Sequence, residues 1–405
     1  MKIANVVRRF VFEEWGGTES VVWNLSKQFA KDGNNVEVVS TSALCDCAEE
    51  LRDGIKISRF KYFYPHLFLD KKRINALDKK GGNPFSYALY KYLVNGKFDI
   101  VHSHTLGRTA KMALLASRKL SVPCVLSFHG GYLDVPQCEV EMMANPIKNR
   151  IGYGSIIEKL CSMPSDAVEH ADGIICVGQN EFEKMRAKFP NKAIAHIPNA
   201  VDTTAFSLNP KSNFRKEFSI PENRKMILCV SRIDPQKNQL ALLRLLSELL
   251  SKGEDVHLAL VGFITDNTYL QKILDLSKEL NLQDRLTICK GLPPSSDLLL
   301  SAYKSADVFA LSSIHEPFGI VAVEAWAART PVIASNVGGL GRLIENAKTG
   351  FLFAPDDTQG AVSAYFDAQK HREEICANAQ KLCFEKYSWE AVAKQTMDFY
   401  NQLKK

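Results

Sequence analysis

Along the chain, short runs of consecutive apolar residues alternate with longer stretches whose apolar positions recur every three or four residues. The short runs predict strands at 2–7, 36–41, 55–60, 99–104, 122–128 and 173–177, then at 225–231, 256–261, 286–289, 307–311 and 331–334. The periodic stretches between them predict helices. The first opens at Gly16-Gly17 and buries Val21, Val22, Leu25 and Phe29 before stopping near Gly33. Others are expected at 84–94, 106–120, 156–170, 181–188, 239–250, 269–280, 297–305, 319–328 and 389–403. Strand and helix alternating throughout imply α/β architecture with doubly wound parallel sheets. The polar, breaker-rich Asn209-Pro210-Lys211-Ser212-Asn213 reads as a linker. The expected domains are therefore 1–208 and 209–386, followed by a terminal segment 387–405. Residues 133–155 have weak periodicity and are expected to form a mobile segment over a cleft.

One stretch concentrates candidate chemistry. After the strand at 307–311 comes Ser312-Ser313-Ile314-His315-Glu316-Pro317-Phe318-Gly319, and Pro317 ends any extended run. From Gly319 to Ala328 apolar residues cover every face, the pattern of a helix buried on all sides, yet Glu324 sits in its middle. A carboxylate there needs hydrogen-bond donors or must be neutralised, since burying an unpaired charge costs several kcal/mol. The free amides of Phe318, Gly319 and Ile320 at the helix start suit an anion, and Glu316 beside them suits sugar hydroxyls. The competing reading has Glu316 as a cap and Glu324 paired with a nearby arginine.

Length favours two or more domains, each with its own core. The chain has 405 residues and ten cysteines. Cys124, Cys176, Cys229 and Cys289 fall in expected strands and read as reduced core residues. Cys45-Asp46-Cys47 lacks metal-ligand spacing. No apolar run approaches a membrane span, and Arg8-Arg9 directly follow the first strand, so a cytoplasmic protein is expected.

The net charge is +6, but residues 51–120 alone hold fifteen Lys/Arg against four Asp/Glu. Within that region, residues 59–80 interleave Phe60, Tyr62, Phe63, Tyr64, His66 and Phe68 with Lys61, Lys71, Lys72, Arg73, Lys79 and Lys80. Aromatic and cationic side chains together suit an anionic membrane surface, which would place the protein peripherally at the inner face of the membrane. The same pattern fits a strand and loop with aromatics inside and lysines solvated. No nucleic-acid motif accompanies the charge, and no nucleic acid is expected as a partner.

Further candidates lie at strand ends, where open parallel sheets hold ligands. Gly16-Gly17 opens a helix after the first strand, letting backbone amides approach a phosphate or merely making the turn. His102 and His104 share one side of a strand; a metal site there lacks an apparent third ligand, and a polar strand end fits as well. His129-Gly130-Gly131 ends the strand at 122–128. Arg232 and Lys237 bracket a strand-to-helix loop, where both can reach one anion. No dinucleotide fingerprint or P-loop is present, which argues against hydride transfer and ATP hydrolysis.

These elements resemble glycosyltransferase family 4, group 1. Glu316 and Glu324 match its Glu-x7-Glu motif, Gly16-Gly17-Thr18-Glu19 its Gly-Gly-x-Glu loop, and Arg232 with Lys237 its Arg-x4-Lys pair. His129 falls at its active-site histidine, and Pro198-Asn199-Ala200-Val201-Asp202 matches its junction segment, with Ala200 where glycine is usual. Arg342 stands where the family usually has an acidic residue.

The resemblance implies the GT-B fold: two Rossmann-like domains facing a central cleft, the C-terminal helix crossing back to the first. It implies a retaining hexosyltransferase using a UDP- or GDP-sugar, with a saccharide or lipid-linked acceptor in surface polysaccharide or glycolipid assembly. Catalytic roles would fall to Glu316, His129, Arg232 and Lys237. Donor contacts would come from Gly16, Gly17, Asn199, Arg232, Lys237, Leu292, Glu316, Phe318, Gly319, Ile320 and Glu324. No cofactor or metal is expected, because no Asp-x-Asp stands where a metal-bridged diphosphate would need one. Two other functions share the scaffold: a sugar-nucleotide epimerase or phosphorylase, and a non-catalytic nucleotide-sugar-binding partner.

Overall fold

The computed structural model describes residues 1–12, 16–79, 81–129, 132–133, 141, 144–293 and 296–404. Gly130, Gly131, Lys80 and most of the 133–143 stretch, which carried expectations from the sequence, lie outside the described residues. The chain divides into two compact units, 1–198 with 392–405, and 199–391. The division falls before the polar 209–213 stretch that the sequence suggested as the linker. The last helix, Trp389–Leu403, runs from the second unit into the first.

In the first unit the strands are β1 (Lys2–Arg9), β2 (Asn35–Thr41), β3 (Glu49–Arg52), β4 (Ile55–Phe60), β5 (Ile100–Ser103), β6 (Cys124–Phe128), β7 (Gly173–Cys176) and β8 (Ala193–His196). They form one sheet in the order β3-β4-β2-β1-β5-β6-β7-β8. Only β3 runs antiparallel, as an edge hairpin with β4 that the sequence did not reveal because Glu49-Glu50-Leu51-Arg52 is almost wholly polar. The strands inside the sheet are apolar on both faces, as a parallel sheet covered by helices requires. The expected single helix over 156–170 is two, Gly154–Leu160 and Ala167–His170, with Pro164 in the break.

The aromatic-basic region is neither all core nor all surface. Tyr64 is buried and shares Asp78 Oδ1 with Tyr62, at 2.8 and 2.6 Å. Leu67 and Phe68 instead face solvent, with Phe68 78% exposed. A helix the sequence had not suggested, Lys71–Lys79, follows them.

The second unit has β9 (Lys225–Val230), β10 (Val256–Val261), β11 (Leu286–Cys289), β12 (Val308–Leu311), β13 (Val332–Ser335) and β14 (Phe351–Phe353). Their order is β11-β10-β9-β12-β13-β14, and every pairing is parallel. Two helices lack a clear sequence signal: Thr358–Lys370 packs on β12, β13 and β14 and buries Tyr365, and Arg372–Lys386 packs on the helix Ile320–Ala327 and buries Ile375 and Cys383. The four strand cysteines expected in the core are buried and unpaired. No helix among the described residues is long and apolar enough to cross a membrane.

Candidate active site

In each sheet the strand order reverses beside the first strand, which opens a crevice at the carboxyl ends of two neighbouring strands. In the second unit these are β9 and β12, so the topology brings the 231–238 loop beside the 312–319 loop. Hydrogen bonds stitch the two together. Ser312 Oγ donates to the carbonyls of Lys237 and Asn238 at 3.1 and 2.8 Å, Ile314 N to Gln236 O at 2.8 Å, and Gln236 Nε2 to His315 O at 3.1 Å. Asp234 caps the short turn Pro235–Lys237 by accepting from Lys237 N at 3.2 Å.

This framework places two cations and a carboxylate together. Lys237 Nζ lies 2.5 Å from Glu316 Oε2, and the two side chains are only 13% and 11% exposed. The Arg232 guanidinium is exposed, 3.2 Å from Asp234 Oδ2 and 3.1 Å from Gln236 Oε1. Glu316 therefore does not act as a helix cap; it is the partner of Lys237.

The helix Ile320–Ala327 begins at Gly319, whose φ is +91°, and no side chain caps its start. A Cβ at Gly319 would lie 2.5 Å from Leu340 Cδ2, so the turn needs glycine for both backbone and space. The Gly338-Gly339 turn clasps the loop: Gly339 N donates to Glu316 O at 2.6 Å, and Gly338 packs directly on the same carbonyl.

The helix is not buried on all sides. Ala322, Val323, Ala325, Trp326 and Ala327 are in the core, but Ile320, Val321 and Glu324, spaced along one face, are only half-buried. That open face explains how a carboxylate is tolerated. Among the described residues Glu324 pairs with no arginine; Tyr303 OH donates to its Oε2 at 2.6 Å, and burial pushes its pKa up to about 7. Leu292 is half-buried after Gly291, which takes φ +90°. Asn199 at the start of the unit keeps a buried Oδ1 without a hydrogen-bond partner. Arg342 is exposed, on the short helix Leu340–Leu343.

In the first unit the crevice lies beyond β1 and β5. Gly16 precedes the helix Gly17–Lys31, and a Cβ there would meet Glu19 Oε2 at 2.6 Å. Glu19 is itself buried and 3.2 Å from Arg9 Nε. His129, at the end of β6, does not stand alone. Its Nε2 is 3.1 Å from His104 Nδ1, and His104 Nε2 is 3.3 Å from Asn5 Oδ1. His102 lies against His104, tilted by 35°, with ring centroids 3.9 Å apart, and is held by Tyr400 and Ser127 at 2.5 and 2.7 Å.

Burial lowers His102 to about 3 and His129 to about 4, and burial with two neighbouring imidazoles holds His104 well below the usual range. A cavity of about 310 Å³ is lined by Arg8, Thr18, Asn83, His104, Thr105 and His129, among others. Among the described residues no cluster of His, Cys, Asp or Glu is arranged to hold a metal ion.

Sequence reasoning paired Arg232 with Lys237 and Glu316 with Glu324; the structure joins Lys237 to Glu316 and holds Arg232 through Asp234 and Gln236. It missed Asp234 and Tyr303, whose neighbourhood depends on which strands and helices are adjacent. It also missed Asn5 and treated His104 apart from His129.

Known proteins match the chain over nearly its whole length. Residues 15–205 match the family model described as Glycosyltransferase Family 4, and residues 210–381 match Glycosyl transferases group 1. An uncharacterized glycosyltransferase of Methanocaldococcus jannaschii is 28% identical, with 99% of this chain and 98% of that protein covered. A D-inositol 3-phosphate glycosyltransferase of Nocardioides sp. is 26% identical over 96% of this chain and 85% of its own length. The crystal structure of Anabaena HepE in complex with UDP shares the fold, with TM-score 0.69, 19% identity and coverage of 99% and 100% of the two chains. The chain belongs to the group 1, family 4 glycosyltransferases and has their GT-B fold of two parallel-sheet α/β domains.

Proposed function

We propose that this protein is a retaining, metal-independent hexosyltransferase that takes its sugar from a nucleoside diphosphate donor. The observation that carries this reading is the Lys237–Glu316 pair held beside Arg232 at the uncapped start of the Ile320–Ala327 helix. As the glycosidic bond breaks, negative charge grows on the leaving diphosphate and positive charge on the sugar ring. Arg232, Lys237 and the amides of Phe318, Gly319 and Ile320 form a preorganised set of donors for the diphosphate. Glu316 orients sugar hydroxyls, Glu324 takes the ribose hydroxyls, and Leu292 lies against the base. Gly16, Gly17 and Asn199 complete the donor contacts, and His129 holds a sugar hydroxyl. The acceptor is a saccharide or a lipid-linked saccharide, bound by the first unit. The UDP carried by the Anabaena neighbour is consistent with a uridine donor.

Purified protein incubated with UDP-hexoses and GDP-hexoses, without added metal, tests the donor assignment by protection against thermal unfolding. A ligand that binds only the folded state raises its stability by mass action. The expected result is a shift with one nucleotide that disappears in Glu324→Ala; folded protein that shifts with none of them refutes the donor assignment. A product assay without acceptor separates transfer from epimerase or phosphorylase chemistry. The exposed Phe68 and Leu67 next to Lys71, Lys72 and Arg73 favour a second element of the proposal, peripheral contact with an anionic membrane at its inner face, where a lipid-linked acceptor resides.

A further inference from the structure

Asn5, His104 and His129 form a chain of hydrogen bonds whose polarity is set at one end. Asn5 Nδ2 donates to Ser26 Oγ at 2.8 Å, which turns its carbonyl Oδ1 toward His104 Nε2 at 3.3 Å. A carbonyl oxygen only accepts, so the proton of His104 is on Nε2 and its Nδ1 carries a lone pair. That lone pair faces His129 Nε2 at 3.1 Å, which must then be the donor. The two rings are stacked with centroids 5.3 Å apart, and His102 lies against His104, tilted by 35°, with centroids 3.9 Å apart. Rings packed this closely in the core cannot carry several charges together, and burial keeps all three neutral at pH 7. A neutral His129 protonated on Nε2 has its remaining lone pair on Nδ1, and that atom is buried without a hydrogen-bond partner.

We infer that Asn5 and His104 are positioning residues that lock His129 as the Nε2–H tautomer, so that His129 Nδ1 offers a hydrogen-bond acceptor to a hydroxyl of the ligand. The consequence is selectivity at this position. A neutral hydroxyl, which can donate, satisfies Nδ1; a carboxylate or fully ionised phosphate oxygen, which can only accept, leaves it unpaired. The neighbouring Thr105 Oγ1, also buried and unpartnered, adds a second hydrogen-bonding group on the lining of the same cavity. The inference deepens the proposed function by assigning the chemistry that His129 can recognise, yet the tautomer itself does not depend on that function.

The test is the long-range proton–nitrogen spectrum of the full-length protein labelled at histidine nitrogens, with His129→Gln used to assign the His129 signals. The expected result at pH 7 is a single Nε2–H tautomer for His129. In Asn5→Leu, which keeps the branched outline and removes the acceptor, the His129 signals should move to a mixture of both tautomers. Asn5→Ala provides the same reading if the leucine variant does not fold. A proton on His129 Nδ1 in the unmodified protein overturns the inference, and so does a pure Nε2–H tautomer that survives loss of the Asn5 carbonyl. Because no substrate is added, a protein that transfers no sugar but shows the tautomer chain would refute the proposed function and leave this inference standing.

Discussion

Replacing Glu324 by glutamine should stabilise the unliganded protein, and the gain should grow with pH. Glu324 has an ordinary acidity near 4.5 when the chain is unfolded and about 7 in the folded protein, because burial outweighs the hydrogen bond from Tyr303. Between those two values the folded chain holds a proton that the unfolded chain has already released. Stability therefore falls as pH rises through this window. At about 1.4 kcal/mol per pH unit, the loss from this one group approaches about 3 kcal/mol at pH 8. Glutamine cannot ionise and escapes that loss. Urea unfolding of both proteins at a series of pH values from 5 to 8 isolates the term, because every other titrating group is common to the two. The expected difference is small at pH 5 and widens to as much as about 3 kcal/mol in favour of the variant at pH 8. Parallel stability curves across the series would refute the argument. The same substitution should weaken protection by a nucleotide sugar, so that the position trades folding stability for a ligand carboxylate.

Lys237→Met should destabilise the fold by on the order of 3 kcal/mol in urea unfolding, because it strands the buried Glu316 charge; adding Glu316→Gln should recover much of that loss while donor protection stays absent. Gly338→Ala should cost about 1–3 kcal/mol, read as a lowered midpoint, since its φ of +48° is unfavourable for alanine and the new Cβ would sit 2.5 Å from Glu316 O. Reversing the exposed Lys71 and Lys72 to glutamate should abolish sedimentation with anionic vesicles at low salt and leave the thermal midpoint nearly unchanged; undiminished binding would sink the membrane reading.

Much of this protein is written locally in its sequence. The interior strands are short apolar runs, and the helices Asp297–Ser305 and Trp389–Leu403 begin and end where their periodicity does. The Glu316-to-Glu324 segment is equally legible, because its proline, its positive-φ glycine and its helix start act within a few residues of one another. The edge strand Glu49–Arg52 was hidden because strand pairing, and no apolar pattern, holds it in place. The open face of the Ile320–Ala327 helix was hidden as well, since composition reports how apolar a helix is and not which side its neighbours leave uncovered.

What only the tertiary structure decided is which distant groups meet. Strand order set β9 against β12 and so gave Glu316 its lysine from 79 residues away, while packing of the two helices that flank β12 gave Glu324 its tyrosine from 21 residues away. The same kind of crossover carried Asn5 in the middle of β1 together with His104 and His129 at the ends of β5 and β6. Sequence determines the residue types and the local conformation at each strand end. The protonation pattern of a histidine chain and the acidity of a half-buried carboxylate depend on burial and on the partner opposite, and those exist only once the sheets have formed.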